Sequence, residues 1–118
     1  MLKGYEVKVS RLYTGSDNRS HFEELPLSAH PELNSLQEAK GIFFREDTAA
    51  RFQGWHPAPR RQWVIILKGE LEIGLGDGSL WKFGPGDARL VEDTTGQGHT
   101  TRVGNEPCIC AYIPLARQ

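Results

Sequence analysis

The chain has 118 residues, of which 38% are hydrophobic and 25% are charged, and its 14 basic and 15 acidic residues give a formal net charge of −1. This composition is typical of a globular chain of one domain, residues 1–118, and argues against disorder. A balanced charge offers no overall attraction to nucleic acid or to an anionic membrane, so neither is an expected partner. No apolar run approaches the roughly 20 residues of a membrane span. The first residues also lack the apolar stretch of a secretory signal, so we expect cytoplasmic residence.

The N-terminal part predicts strands around one irregular segment. Alternating apolar and polar residues over 5–13 predict a strand with one buried face, and a second extended piece follows over 20–27. The stretch 31–40 starts at a proline and has a weak helical spacing, so it predicts a short helix or an irregular loop. Residues 41–46 predict a third strand.

The rest of the chain predicts a series of short strands joined by glycine turns. Gly76-Asp77-Gly78 is a strong hairpin signal, because glycine adopts positive φ at no steric cost. The predicted strands are 62–67, 70–75, 79–83, 88–92, 99–103 and 108–113. Closely spaced short strands indicate an all-β sandwich or barrel.

Two cysteines, Cys108 and Cys110, lie two positions apart in an apolar run. On a strand their side chains share one face and run parallel, which disfavours a disulfide between them. They are expected to be buried free thiols.

A first motif around His56 resembles that of the cupin superfamily. The family motif contains two histidines, a glutamate and a closing glycine. Anchored on Gly69, it places Gln62 at the glutamate, Ala58 at the second histidine and His56 at the first.

A second motif ends at His99. Gly86-Asp87 matches its opening and Gly96-Gln97-Gly98-His99 matches its end, although the intervening loop is longer than in the family and Val103 replaces the closing asparagine. The resemblance implies a cupin-type double-stranded β-helix, or jelly-roll barrel, with its core over about 40–114 and N-terminal strands over 5–27. It also implies a homodimer, since small cupins commonly pair and the strand over 5–13 has an open edge.

The resemblance implies a metal site that has lost part of its ligand set. Family members with three histidines and one carboxylate hold Fe, Mn, Ni or Zn. The matching positions here retain His56 and His99, while Gln62 offers only a neutral carbonyl and Ala58 offers nothing. The alternatives are therefore a divalent metal ion bound weakly by His56, Gln62 and His99, and a pocket without a cofactor in which His56 and His99 only make hydrogen bonds.

Strand alternation predicts that Arg60 points inward with His56 and Gln62. Its planar cation suits a carboxylate or phosphate, and the alternative is a rim salt bridge with Glu92 or Asp93.

Two further residues have open interpretations. Trp55 either stacks on a flat ligand or packs beside its neighbouring proline. Asp93 either fixes His99 in one tautomer, making a candidate catalytic general base of the pair, or serves only as a turn residue.

Two function classes stay open from the sequence. The first is a small-molecule-binding protein with a polar barrel pocket, lined by His56, Arg60, Gln62 and His99, for a small carboxylate or a sugar-like ligand. The second is a metal-dependent cupin enzyme of the oxygenase or isomerase type that uses His56, Gln62 and His99. The missing glutamate and histidine favour the first.

Overall fold

The computed structural model describes residues 6–118, whose regular secondary structure consists mainly of short strands in two sheets. The strands in this described part are β1 (Val9–Thr14), β2 (Ser20–Glu24), β3 (Phe43–Asp47), β4 (Phe52–His56), β5 (Gln62–Lys68), β6 (Leu71–Gly74), β7 (Leu80–Phe83), β8 (Ala88–Val91), β9 (His99–Val103) and β10 (Cys108–Pro114). Two short 3₁₀ helices, Leu27–Ala29 and Pro31–Asn34, separate β2 from β3.

The strand order explains how distant parts of the chain meet. One sheet has the order β2-β1-β8-β5-β10-β3 and the other has the order β4-β9-β6-β7. Neighbouring strands are antiparallel except for β1 and β8, which are parallel. The two motif histidines lie on the four-stranded sheet, in β4 and β9, while Gln62 lies on the six-stranded sheet, in β5. A site built from both motifs therefore lies between the sheets.

Alternating side chains on both sheets form the core. On β5, Gln62, Val64 and Ile66 are buried while their neighbours are less so, which is the period of a strand with one covered face. The buried apolar cluster takes residues from both sheets and from the first motif: Leu12, Ala58, Val64, Ile66, Leu71, Ile73, Leu75, Phe83, Val91, Val103, Cys108 and Cys110. Both cysteines are free and buried, as the sequence predicts.

The structure confirms the all-β jelly-roll prediction and changes some boundaries. The predicted first strand begins at Val9, and its predicted residue Tyr5 lies outside the described residues. The segment 31–40 contains a 3₁₀ helix at Pro31–Asn34 rather than a regular helix.

Strand β4 was not predicted. Its sequence, Phe52-Gln53-Gly54-Trp55-His56, does not alternate strictly between apolar and polar residues, and four of its five residues are exposed. The strand lies at the edge of the four-stranded sheet, and Pro57 and Pro59, which follow it, cannot donate ladder hydrogen bonds. Among residues 6–118, no helix is long and apolar enough to cross a membrane.

The open edge expected at the first strand is absent, because β1 lies between β2 and β8. One free edge of the six-stranded sheet is β3, where Phe44 is 62% exposed, and Ile42, just before this strand, is 58% exposed. Two exposed apolar side chains beside an unpaired strand edge favour association with a second copy.

We therefore predict that the protein is a homodimer that pairs through β3. Light scattering should give twice the chain mass for the natural protein, and Phe44→Glu should shift the population to monomer because it places a charge in the apolar contact. Leu80→Glu is the matched control, since Leu80 is 63% exposed on the edge strand of the other sheet. A natural protein that is monomeric at high concentration would contradict the prediction.

Candidate functional site

A cavity of about 300 Å³ lies between the two sheets. Its wall combines polar groups with an apolar floor, which is typical of small-molecule sites. The lining residues are Phe43, Arg45, Asp47, Arg51, Gln53, His56, Ala58, Pro59, Arg60, Gln62, Val64, Leu71, Arg89, Val91, His99, Thr101 and Tyr112. Both motifs therefore contribute to one cavity.

The two motif histidines face each other in this cavity. His56 on β4 is paired with His99 on β9, and their ring centroids lie 4.5 Å apart with the planes at 59°. His56 Nδ1 lies 2.6 Å from the carbonyl oxygen of Gly54. Because a carbonyl oxygen only accepts, Nδ1 carries the proton, and the lone pair of the neutral ring is on Nε2.

A buried carboxylate holds His99. Asp93 is fully buried, and its Oδ2 lies 2.6 Å from His99 Nδ1, which donates to it. The same oxygen accepts a hydrogen bond from Ser20 Oγ at 2.5 Å. These contacts leave the Nε2 lone pair of a neutral His99 free to accept, so the tautomer proposed from the sequence has a structural basis.

Ser20 was not recognised as a site residue. It lies on β2, far from both motifs in the sequence, and it reaches Asp93 only because β2 packs beside β1 at the end of the larger sheet. No spacing rule links the two positions.

Arg60 and Gln62 interact with each other inside the cavity. Arg60 Nη1 donates to Gln62 Oε1 at 3.1 Å, and Gln62 is buried. The alternative salt bridge of Arg60 with Glu92 does not form, because Glu92 accepts hydrogen bonds from Arg11 Nε at 2.6 Å and Arg61 Nε at 2.5 Å. The inward position predicted by alternation for Arg60 agrees with the structure.

Trp55 does not line the cavity. It precedes His56 on β4, so its side chain leaves the opposite face of the strand, and it is 51% exposed. The structure does not bring it to the other site residues.

Three further arginines line the cavity and were missed by sequence reasoning. Arg45 and Arg51 share Asp47, with nitrogen–oxygen distances of 3.2 and 3.5 Å. Arg89 on β8 is buried, and it lies two residues before the buried Val91. The alternation of the predicted strand over 88–92 is a signal that could have placed Arg89 inward, whereas nothing local marks Arg45 or Arg51.

The cavity residues do not fit a divalent metal ion. Among residues 6–118, no three histidine, cysteine, aspartate or glutamate side chains converge as ligands. Only His56 and His99 offer imidazole nitrogens, and Gln62 Oε1 already accepts from Arg60. In this described part of the chain, no carboxylate converges with the two imidazoles, because Asp47, which also lines the cavity, is paired with Arg45 and Arg51. A cation would also enter beside several guanidinium groups.

Comparisons with known proteins give structural likeness alone. No protein-family model and no curated protein sequence matches the chain. Among solved structures, the protein NMB1881 of Neisseria meningitidis is 17% identical with a TM-score of 0.48, and the match covers 80% of this chain and 100% of that one. An RmlC-like cupin protein of Desulfovibrio desulfuricans is 14% identical with a TM-score of 0.46, covering 97% and 92%. The Schizosaccharomyces pombe Cnp3 cupin domain is 14% identical with a TM-score of 0.47, covering 94% and 88%.

The fold is of the cupin type. This assignment depends on the chain's own features: two facing sheets of short strands, and a first and a second motif whose histidines meet between them.

Two buried serines allow a test of the Asp93 contact. Ser20 and Ser10 are both 2% exposed, but Ser20 Oγ donates to Asp93 whereas Ser10 Oγ is buried with no hydrogen-bond partner. We predict that Ser20→Ala lowers the free energy of unfolding by about 1–3 kcal/mol, because it removes a donor from a buried carboxylate. Ser10→Ala should be neutral or slightly stabilising. Urea unfolding of both variants measures the difference, and equal effects would contradict the described role of Ser20.

Proposed function

We propose that the chain is a small-molecule-binding protein that holds a polar ligand in the cavity between its sheets. The observation that carries the proposal is the fixed orientation of the polar groups lining that cavity. Asp93 orients His99, the Gly54 carbonyl orients His56, and Gln62 orients Arg60. Groups held in this way lose little freedom when a ligand binds, which favours affinity.

The groups define what the ligand must offer. When the imidazole of His56 or His99 is neutral, its Nε2 accepts a hydrogen bond from a ligand hydroxyl group. When the imidazole is protonated, Nε2 donates one. Arg60 donates to oxygen atoms, and a guanidinium binds carboxylates in bidentate fashion. A small carboxylate or a sugar-like compound has the required oxygen atoms.

A second candidate is an enzyme in which His99 acts as a general base. The distance of 2.6 Å between Asp93 Oδ2 and His99 Nδ1 favours it, because an oriented imidazole takes a proton through Nε2. The metal-dependent version of this candidate, an oxygenase or isomerase using His56, Gln62 and His99, has no support in the donor set.

Blocking the cavity mouth should abolish binding. Gln53 lines the cavity and is exposed on β4, so Gln53→Trp should fill the entrance without disturbing the core. Small carboxylates and polyols are screened by thermal shift, and each hit is measured by calorimetry. We predict that Gln53→Trp weakens binding of a hit by about tenfold or more, equivalent to at least 1.4 kcal/mol.

The control is Lys82→Trp on the exposed part of β7, a residue that does not line the cavity. It should bind like the natural protein. Equal binding by both variants would place the ligand elsewhere and contradict the proposal.

Metal binding is tested by rebuilding the missing ligands. Ala58→His with Gln62→Glu supplies a third imidazole and a carboxylate from two positions that line the cavity. We predict that the double variant retains about one Zn or Mn ion per chain after dialysis, because each added ligand raises affinity and the carboxylate offsets the cation's charge. Elemental analysis should find little metal in the natural protein. Stoichiometric metal in natural protein purified without chelator would overturn this view of the site.

A further inference from the structure

The Arg89 guanidinium is buried between the two sheets without a hydrogen-bonded counter-ion. The residue is 6% exposed and lines the cavity, and its Nε and Nη1 atoms are buried with no partner. Burial lowers the pKa of the guanidinium, yet arginine stays protonated at neutral pH. A buried and unpaired cation is strongly unfavourable, so a function should maintain it.

The nearby carboxylates make no hydrogen bond to Arg89. Asp47 interacts with Arg45 and Arg51, and Asp93 Oδ2 accepts from Ser20 and His99. Asp93 Oδ1 is buried with no hydrogen-bond partner. Burial lowers the pKa of Arg89, and the charge of Asp93 raises that pKa by less. None of the hydrogen bonds described for residues 6–118 joins either carboxylate to Arg89. The Phe83 ring, with its centroid 5.3 Å from the Arg89 Cζ atom, offers a cation–π contact but no negative charge.

The remaining titratable neighbours of Arg89 lie on β10. Cys108 and Cys110 have their sulfur atoms 3.8 Å apart, and neither lines the cavity. The hydrogen bond from Cys108 and the charge of Arg89 lower the pKa of Cys110. Burial raises the pKa of Tyr112, so its phenol stays neutral. Among the residues that the structure describes, the Asp93 carboxylate and a Cys110 thiolate are thus the protein groups that could compensate Arg89 through space, and the experiment must separate both from a bound anion.

The whole cavity is positively charged. Four arginines and one aspartate line it, which gives a formal charge of +3 with neutral histidines. A concave site with one sign of charge concentrates ions of the opposite sign. This charge favours an anionic ligand over a neutral sugar.

The size and walls of the cavity limit the anion. A volume of about 300 Å³ lies at the small end of ligand pockets. The rings of Phe43 and Tyr112, both lining it, are stacked with centroids 4.9 Å apart, and they provide an apolar wall for a short carbon skeleton.

We propose that Arg89 is the anion-binding residue of the cavity and that the ligand is a small organic oxyanion whose carboxylate or phosphate group neutralises it. The inference rests on the proposed binding function and goes beyond it by naming the chemical class and the residue that selects it. Arg60 stands as a second cation, and His56 and His99 contact the rest of the ligand.

The test uses the full chain at low ionic strength. The probes are malonate, succinate and benzoate for carboxylates, inorganic phosphate for the phosphate source, and glucose as a neutral comparison. Calorimetry gives affinity, and thermal unfolding gives stability with and without each probe. The variants are Arg89→Met, which keeps an unbranched apolar side chain, and Arg102→Met as control. Arg102 is an exposed arginine of β9 that does not line the cavity.

The expected result has two parts. At least one anionic probe binds the natural protein and Arg102→Met, and Arg89→Met weakens that binding tenfold or more. Without a probe, Arg89→Met melts at the same temperature as the natural protein or higher, because it removes an unpaired buried charge. Binding of the carboxylates but not phosphate assigns the carboxylate class, and the reverse assigns the phosphate class.

Three outcomes would overturn the inference. Glucose binding that Arg89→Met leaves unchanged would contradict the assignment of an anionic ligand, while the proposed binding function would stand. A lower melting temperature for Arg89→Met would show that a protein group already compensates Arg89: a Cys110 thiolate if Cys110→Ala in the same chain restores the temperature, and Asp93 if it does not. If Arg102→Met weakens anion binding as much as Arg89→Met does, the anion binds on the protein surface and not in the cavity.

Discussion

The buried carboxylate of Asp93 is the contact on which the geometry of the cavity depends. Its Oδ2 accepts from His99 on β9 and from Ser20 on β2, and its backbone carbonyl accepts from the Ala58 amide at 2.8 Å. One residue thereby joins the second motif, the first motif and the N-terminal strand pair. Because the donors are fixed by the fold, His99 has one tautomer and one orientation before any ligand arrives. The same low-dielectric environment makes loss of any of these contacts costly.

The charges of the cavity are opposite to those of a metal site. A divalent ion needs convergent lone pairs and a negative charge, whereas this cavity offers two imidazoles among four arginines. The two histidines thus meet in a cavity whose formal charge is positive. Gln62 agrees with this charge, because a neutral amide accepts from Arg60 without neutralising it.

The sequence predicted the strands well where apolar and polar residues alternate or where glycine turns bound them. Strands from β5 onward were placed within a residue or so, since glycine turns and alternation mark them. Strand β4 has neither signal and was missed. The motifs predicted that His56 and His99 meet. The closeness of Asp93 and His99 in one loop made a contact between them one of two interpretations, the other being a turn role for Asp93 alone. Ser20, Arg45 and Arg51 reach the site through sheet order, which no local pattern encodes. Arg89 carried a local signal, because it lies two residues before Val91 on the predicted strand over 88–92 and therefore shares the inward face of Val91.

The most direct test of this account is a crystal structure of the natural protein grown in the presence of malonate. The account predicts an oxyanion in the cavity, with its carboxylate beside the Arg89 guanidinium and the rest of the molecule against His56 and His99. A metal ion bound by both histidines would contradict it, as would a cavity without malonate in which Arg89 is paired with Cys110.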